Sequence, residues 1–345
     1  MRASPLLLTL AALALGSCAS DAIVPSRPGN YLVVVNHGED SLSVIEPNSG
    51  HTRDVGPTGS APREAAASRD GRWVVVGGSG DATLTVYDLA ERRRSTTIDL
   101  APHARPHGIA FLDNRSTVLV TSEASDSVLV VGLDSRRVER AIPSGGAGPH
   151  GLALSPDRRV AYTANLSGSV SAYDLAQGEL LRTAAVGVRL ESIAASPDGR
   201  ELWVVDVGHG RLVALDARTL ERLAEVPCAG RPARAAPTAD GAHVLVTARD
   251  PGELVVVDAL ARREVRRVAL GPIAGASAAG PAPVGLLVEP RGRYAFVALT
   301  AVDRVAVVDL STWELAGRFE TGDQPAGMAW AYLWDPGHLS RSFLD

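Results

Sequence analysis

GPHGLALSPDRRVAYTANLSGSVSAYDLAQGELLRTAAVG (residues 148–187) decides the fold. It breaks into LALS, VAYTAN, VSAYDL and LLRTAAV, parted by PDRR, LSGS and AQGE. Short apolar runs bounded by Gly, Pro, Asp and Ser are strand and hairpin chemistry. Four such strands with tight turns form one antiparallel sheet. A sheet apolar on both faces cannot hide them alone and needs neighbours of its own kind.

The unit repeats. The acidic residue that ends its third strand recurs as Glu46, Asp88, Asp134, Asp174, Asp216, Asp258 and Asp309, at intervals of 40 to 51 residues. Seven units of about forty residues, four strands each, predict an all-β, seven-bladed β-propeller of four-stranded antiparallel blades. The recurring acids are expected to cap the turns that follow them. Asp-Gly at 70–71, 198–199 and 240–241 falls between first and second strands, where a hairpin turn needs positive φ.

The first unit begins with YLVVVN, a second-strand pattern, and lacks a first strand. The last unit is followed by QPAGMAWAYLW, a first strand with no followers. Residues 325–334 are therefore expected to close the ring against the sheet that begins at Tyr31, removing two open edges. The resulting division is a signal segment over 1–17, a tether over 18–29, the propeller over 30–334 and a surface tail over 335–345.

These units resemble the YVTN-repeat β-propeller family. GLALSPDRRVAYTANLSGSVSAYDL and SIAASPDGRELWVVDVGHGRLVALD carry the likeness most fully, and it runs from Tyr31 to about Trp334. It implies the fold. The family includes surface-layer, periplasmic binding and enzyme-associated members, so it does not by itself imply a function.

At the N-terminus, Arg2 precedes an apolar run over residues 6–15, about half of what spans a bilayer. Leu15-Gly16-Ser17-Cys18 follows and resembles the bacterial lipobox. That likeness implies export, lipidation of Cys18 and an anchor at the envelope, at the outer membrane facing the periplasm since Ala19 is not Asp. The plain alternative is an ordinary signal peptide with an incidental Cys18. The other cysteine, Cys228, then has no partner and reads as a small buried filler; Arg231 and Arg234 nearby would activate it only if they reached its sulfur.

Composition narrows the functions. A net charge of −5 without single-sign blocks excludes nucleic acid and a basic membrane-surface patch as partners. The membrane is met through the lipid anchor alone. All 34 residues of the Lys+Arg class are arginine, which rules out Schiff-base chemistry. There is no phosphate-binding glycine loop, no C-x-x-C, no C-x-x-C-H haem attachment and no G-x-S-x-G elbow, so a self-contained redox enzyme is unsupported. Trp73, Trp203, Trp313 and Trp330 lie in strand patterns and read as core.

Propellers bind ligands at the mouth of the central channel. Aligning the units on their first strands puts one residue per blade there: Arg63, His107, His150, Glu191, Ala233, Val284 and Ala326. The next position gives Glu64, Gly108, Gly151, Ser192, Arg234, Gly285 and Gly327. Polar residues fall on consecutive blades, an asymmetry that a purely structural ring would not show. Arg63, Glu64, His107, His150, Glu191 and Arg234 are the candidate ligand-binding residues.

Three readings follow. The first is a non-enzymatic, monomeric envelope propeller that binds a ligand or protein partner at the mouth. The second is a lactone-hydrolysing or lactone-forming enzyme, with His150, Glu191, Arg63 and Arg234 as catalytic candidates. The third is a divalent metal, the one cofactor considered, held by His107, His150 and Glu191. Against these stands a turn reading, in which each Pro-His-Gly imidazole simply hydrogen-bonds a neighbouring loop. His103 could join the cluster. The second-to-third strand loops bring His37, Glu39, Glu123, Asn165, Asp206, His209 and Arg249 to the same face. Residues 271–283, rich in Gly and Ala, could cover it as a lid or form a plain surface loop.

Overall fold

The computed structural model describes residues 24, 29–113, 116–271 and 280–333. The signal segment, Cys18, most of the 271–283 insertion and the 335–345 tail lie outside the described residues, as does Trp334.

The unit over residues 148–187 folds as Pro149–Leu154, Val160–Asn165, Ser169–Asp174 and Glu179–Ala185, an antiparallel four-stranded sheet. Seven such sheets form the chain, a seven-bladed propeller. Numbered in chain order, blade 1 holds both ends, and blades 2 to 7 span residues 62–99, 106–143, 149–185, 190–227, 232–269 and 283–320. In blade 1 the last strand, Pro325–Tyr332, pairs with the first, Asn30–Asn36. The closure expected from the orphan first strand is therefore present. No helix among the described residues is long and apolar enough to cross a membrane.

Burial follows position within a blade. Second and third strands are buried almost throughout, as in Trp73–Gly78 and Thr83–Asp88. Fourth strands such as Glu179–Ala185 are mostly exposed. A middle strand has a sheet on both sides, which is why its sequence is a continuous apolar run rather than an alternation. The apolar residues form seven separate clusters, each shared by two adjacent blades. One example joins Tyr162 and Val170 of blade 4 to Leu202 and Val213 of blade 5. This is how a 345-residue chain avoids needing one oversized core. Val24 is 2% exposed and packs into the cluster between blades 7 and 1.

The turns behave as their residues require. Gly71, Gly199 and Gly241 have φ of 72, 71 and 70°. Asp88, Asp174, Asp216, Asp258 and Asp309 accept hydrogen bonds from backbone N–H groups two or three residues on. Trp203 is fully buried, and Trp73, Trp313 and Trp330 pack partly buried against the clusters. Trp313 does so from a turn rather than a strand.

Candidate functional site

Six of the seven first strands begin with proline: Pro62, Pro106, Pro149, Pro232, Pro283 and Pro325. Proline gives the ladder no donor and suits the first position of a strand. In every blade the register between first and second strands then slips immediately after this position. Such a bulge takes one residue out of the ladder and re-aims it. The residue released is the second of the strand, and it turns into the channel.

All seven aligned residues consequently line one cavity of about 290 Å³: Arg63, His107, His150, Glu191, Ala233, Val284 and Ala326. Glu64 and Arg234 from the following position join them. From the second-to-third strand loops only Glu123 and Arg249 of the seven expected residues reach the cavity lining. The others are spent on neighbouring backbone and side chains away from the cavity. His37 bonds the carbonyl of Pro62 at 3.1 Å, Glu39 accepts from Ser41, and Asn165 donates to Ser169 and Ser171. Asp206 is fully buried, holds His209 at 2.6 Å and accepts the N–H of Val188. His103 does not join the cluster, because its Nδ1 lies 2.9 Å from Ser125 Oγ.

Sequence reasoning missed Arg105 and Arg189, which also line the cavity. Each stands two residues before an aligned mouth position, and that offset was the available signal.

The glycines after the mouth positions serve the backbone of the next blade rather than a ligand. A Cβ on Gly108 would lie 2.6 Å from Leu152 Cβ and 2.9 Å from the His150 carbonyl oxygen. Blades 3 and 4 can therefore approach closely here. Their imidazoles, His107 and His150, stack with ring centroids 3.5 Å apart and a tilt of 31°. Thr121 fastens the same joint: it accepts the Gly108 N–H at 2.7 Å and donates to the His150 carbonyl at 2.9 Å.

His150 Nδ1 lies 2.6 Å from Glu123 Oε1, and Arg105 Nη2 lies 2.9 Å from Glu123 Oε2. Burial alone would raise the Glu123 carboxyl; the hydrogen bond from His150 and the charges of His150, Arg105 and Arg63 outweigh it, and the group lies below its ordinary value. Burial, followed by the charges of His150, Arg234 and Arg63, holds His107 well below the usual imidazole range. His107 Nδ1 is buried and has no hydrogen-bond partner among the described residues, and the same is true of Arg249 Nε.

Glu191 faces Arg189 at 2.9 Å and Arg249 at 3.7 Å. This corrects the metal trio read from the sequence. The carboxylate within reach of both imidazoles is Glu123, and Glu191 is drawn away by two guanidinium groups. Across the channel Glu64 of blade 2 pairs with Arg234 of blade 6. Cys228 is 1% exposed and burial pushes its thiol up to about 11, so the nearby arginines do not activate it.

The cavity thus gathers five arginines (63, 105, 189, 234, 249) and three glutamates (64, 123, 191), a formal excess of two positive charges in a chain of net charge −5. Such a mouth favours anions. Arginine pairs with carboxylates through two parallel hydrogen bonds, and imidazole can ligate a metal or carry a proton.

The chain is 33% identical over 138 residues to the dihydro-heme d1 dehydrogenase of Pseudomonas aeruginosa, covering 37% of this chain and 28% of that protein. It is 26% identical over 168 residues to the 6-phosphogluconolactonase of Erwinia tasmaniensis, covering 44% of this chain and 51% of that protein. The chain therefore matches about a quarter and about half of these relatives' lengths. Among solved structures it resembles the Kuenenia stuttgartiensis hydrazine synthase, with a TM-score of 0.67 and 18% identity over 78% of this chain and 89% of that one. At that identity the likeness is one of fold. Residues 112–337 match the sequence family described as the cytochrome D1 heme domain. That span holds Glu123, His150, Glu191, Arg234 and Arg249 and leaves out Arg63, Glu64, Arg105 and His107. With nearly two-thirds of its length matched, this seven-bladed propeller belongs to the cytochrome D1 heme domain family.

Proposed function

We propose that the protein is a binding propeller whose channel mouth takes an acidic ligand, and that this ligand is an iron tetrapyrrole with carboxylate side chains. The observation that carries the reading is the meeting, in one cavity, of five arginines with a buried imidazole nitrogen that has no partner. The family and the name of the Pseudomonas relative supply the ligand class.

The residues suit such a group. Histidine is an ordinary ligand of haem iron, and a bound haem would supply redox and ligand-binding chemistry. His107 and His150 are the side chains available to hold it. Arg63 makes no ion pair with a described residue, and Arg249 has an unmet Nε, so these two have hydrogen-bonding capacity left for carboxylates. Glu123 fixes the orientation of His150, and Arg105 fixes Glu123. The missing C-x-x-C-H motif speaks only against covalent attachment. The cavity of about 290 Å³ lies just below the roughly 300–1,000 Å³ typical of small-molecule pockets.

Titrating the purified protein with ferric protoporphyrin tests this. A saturable shift of the haem absorption band is expected, lost in His107→Ala/His150→Ala and weakened at least about tenfold in Arg63→Ala/Arg249→Ala, since each 1.4 kcal/mol is a factor of ten. Binding unchanged in both double variants would overturn the reading.

The lactonase relative favours a second reading, in which His150 removes a proton from water while Arg63 and Arg234 hold an anionic lactone. Glu191 was the sequence's carboxylate candidate for this chemistry, and Glu123 is the one in contact with His150. A panel of sugar and acyl lactones with no turnover above background removes it.

Export and lipidation of Cys18, with the propeller held at the outer membrane as a monomer facing a periplasmic ligand or envelope partner, complete the proposal. The Leu-Gly-Ser-Cys segment and the likeness to YVTN-repeat propellers support it. Mass analysis of the mature N-terminal peptide should find diacylglycerol on Cys18; an unmodified Cys18 in the membrane-extracted protein would refute the anchor.

A further inference from the structure

We propose that His107, Glu123 and His150 form a binding site for a single first-row divalent cation of the zinc or cobalt type, open on the side of the channel mouth.

Each of the three residues offers one donor atom, and all of these atoms lie within 4.8 Å of one another. The residues come from three separate places in the chain. His107 and His150 are the bulge-released residues of blades 3 and 4, and Glu123 opens the short helical turn Glu123–Ser125 in blade 3. Closely set donors at such separations span what a tetrahedral site needs, about 3.4 Å between ligands for metal–ligand bonds of about 2.0–2.1 Å. Where His150 Nδ1 now meets Glu123 Oε1 at 2.6 Å, a hydrogen bond holds together two groups that a cation would hold slightly further apart.

The second, independent observation is His107. Its Nδ1 is buried without a hydrogen-bond partner among the described residues. A buried imidazole nitrogen left unmet carries a desolvation cost, and a metal bond would meet it.

The donor set selects the ion. Two imidazoles and one carboxylate suit zinc and its neighbours, whereas calcium and magnesium prefer sites made of oxygen. Three protein ligands leave a fourth position for water or an anion. Arg105, 2.9 Å from Glu123, supports the carboxylate from behind, the usual outer partner of a metal ligand. Glu64 takes Arg234 and Glu191 faces both Arg189 and Arg249, so the formal excess of two positive charges persists at the mouth and the cation is held by its three donors against that field. The site shares His107 and His150 with the tetrapyrrole reading, so the cation and the tetrapyrrole are alternative occupants of these side chains, and cobalt binding is read with no tetrapyrrole present.

Untagged, metal-stripped protein should be titrated with cobalt(II) alone and followed by visible absorption and calorimetry. One equivalent is expected to bind with the strong visible band of a tetrahedral ion, and magnesium or calcium should not compete. His107→Ala and Glu123→Gln should each weaken binding at least tenfold, with His209→Ala unchanged. Melting curves on every variant separate a lost site from a lost fold, and Glu123→Gln, which keeps the side-chain shape, decides if His107→Ala does not fold. Absence of cobalt binding by the unaltered protein overturns the proposal. So does equal binding by Glu123→Gln, or a loss in Glu191→Gln that Glu123→Gln does not share.

Discussion

At Gly108 a single hydrogen atom in place of a side chain decides how near two blades can come. A methyl group there meets Leu152 Cβ at 2.6 Å and the His150 carbonyl at 2.9 Å, and the latter is backbone that cannot step aside. Overpacking of this kind costs about 1–3 kcal/mol. Gly108→Ala should lower the thermal midpoint and spread the His107–His150 pair; an unchanged melting curve would show the joint to be looser than described. Cys228 makes the opposite point, a residue whose chemistry is silenced by its surroundings. With burial holding the thiol up at about 11, the thiolate is scarce at neutral pH. Alkylation by iodoacetamide at pH 8, mapped by peptide mass, should spare Cys228 in the native protein and modify it in denaturant.

The strand is the scale at which the site is made. Each first strand starts at the mouth, slips its register by a bulge and releases one side chain into the channel, and in blades 3 and 6 a buried threonine of the second strand catches the N–H that the bulge frees. Thr121 does this in blade 3, and Thr247 does it in blade 6, accepting from Arg234 at 3.0 Å and donating to the Val284 carbonyl at 3.2 Å. Thr121→Val should cost about 1–3 kcal/mol in denaturant unfolding, because a buried donor is left unmet, and Thr121→Ser should restore most of it. The mouth positions were legible in the sequence for a physical reason: strands and hairpins repeat at nearly fixed length, so alignment of the units places Arg63, His107, His150 and Glu191 on one ring. Glu123 was not legible as the partner of His150. Its loop differs from those of the other blades, and nothing in spacing says that Glu123 rather than Glu191 turns toward the imidazoles. That choice is made by Arg189 and Arg249, which capture Glu191. Trp313 likewise has strand-like neighbours but sits in a turn with φ of 61°.

For the molecule as a whole, many of the turn carboxylates lie below their ordinary values. The hydroxyl of Ser196 does this to Asp198, the N–H of Thr219 to Asp216 and the hydroxyl of Thr238 to Asp240. A carboxyl lowered by folding contributes stability that is complete above its unfolded value, 3.8 here, and is lost as pH falls through the folded one. His37, lowered by burial and by Arg63, has the same sign: the unfolded chain takes the proton first, so stability is lost as pH falls below 6.5. The melting temperature should therefore decline gently below pH 6.5 and steeply below about pH 4. A melting temperature that rose on acidification would contradict these assignments.

The ladder that shuts the ring also sets its polarity. Pro325 lies opposite Asn36 at the mouth, whereas Tyr332 lies opposite Asn30 at the other end of the same sheet. The backbone thus arrives and departs on the side away from the arginines, within one strand spacing of itself. A molecule held to a surface directly at Asn30 or Tyr332 would stand like a cup on its base, rim outward, its opening free for whatever diffuses past. A fluorescent domain joined directly before Asn30 or after Tyr332 would be carried underneath, leaving the rim clear.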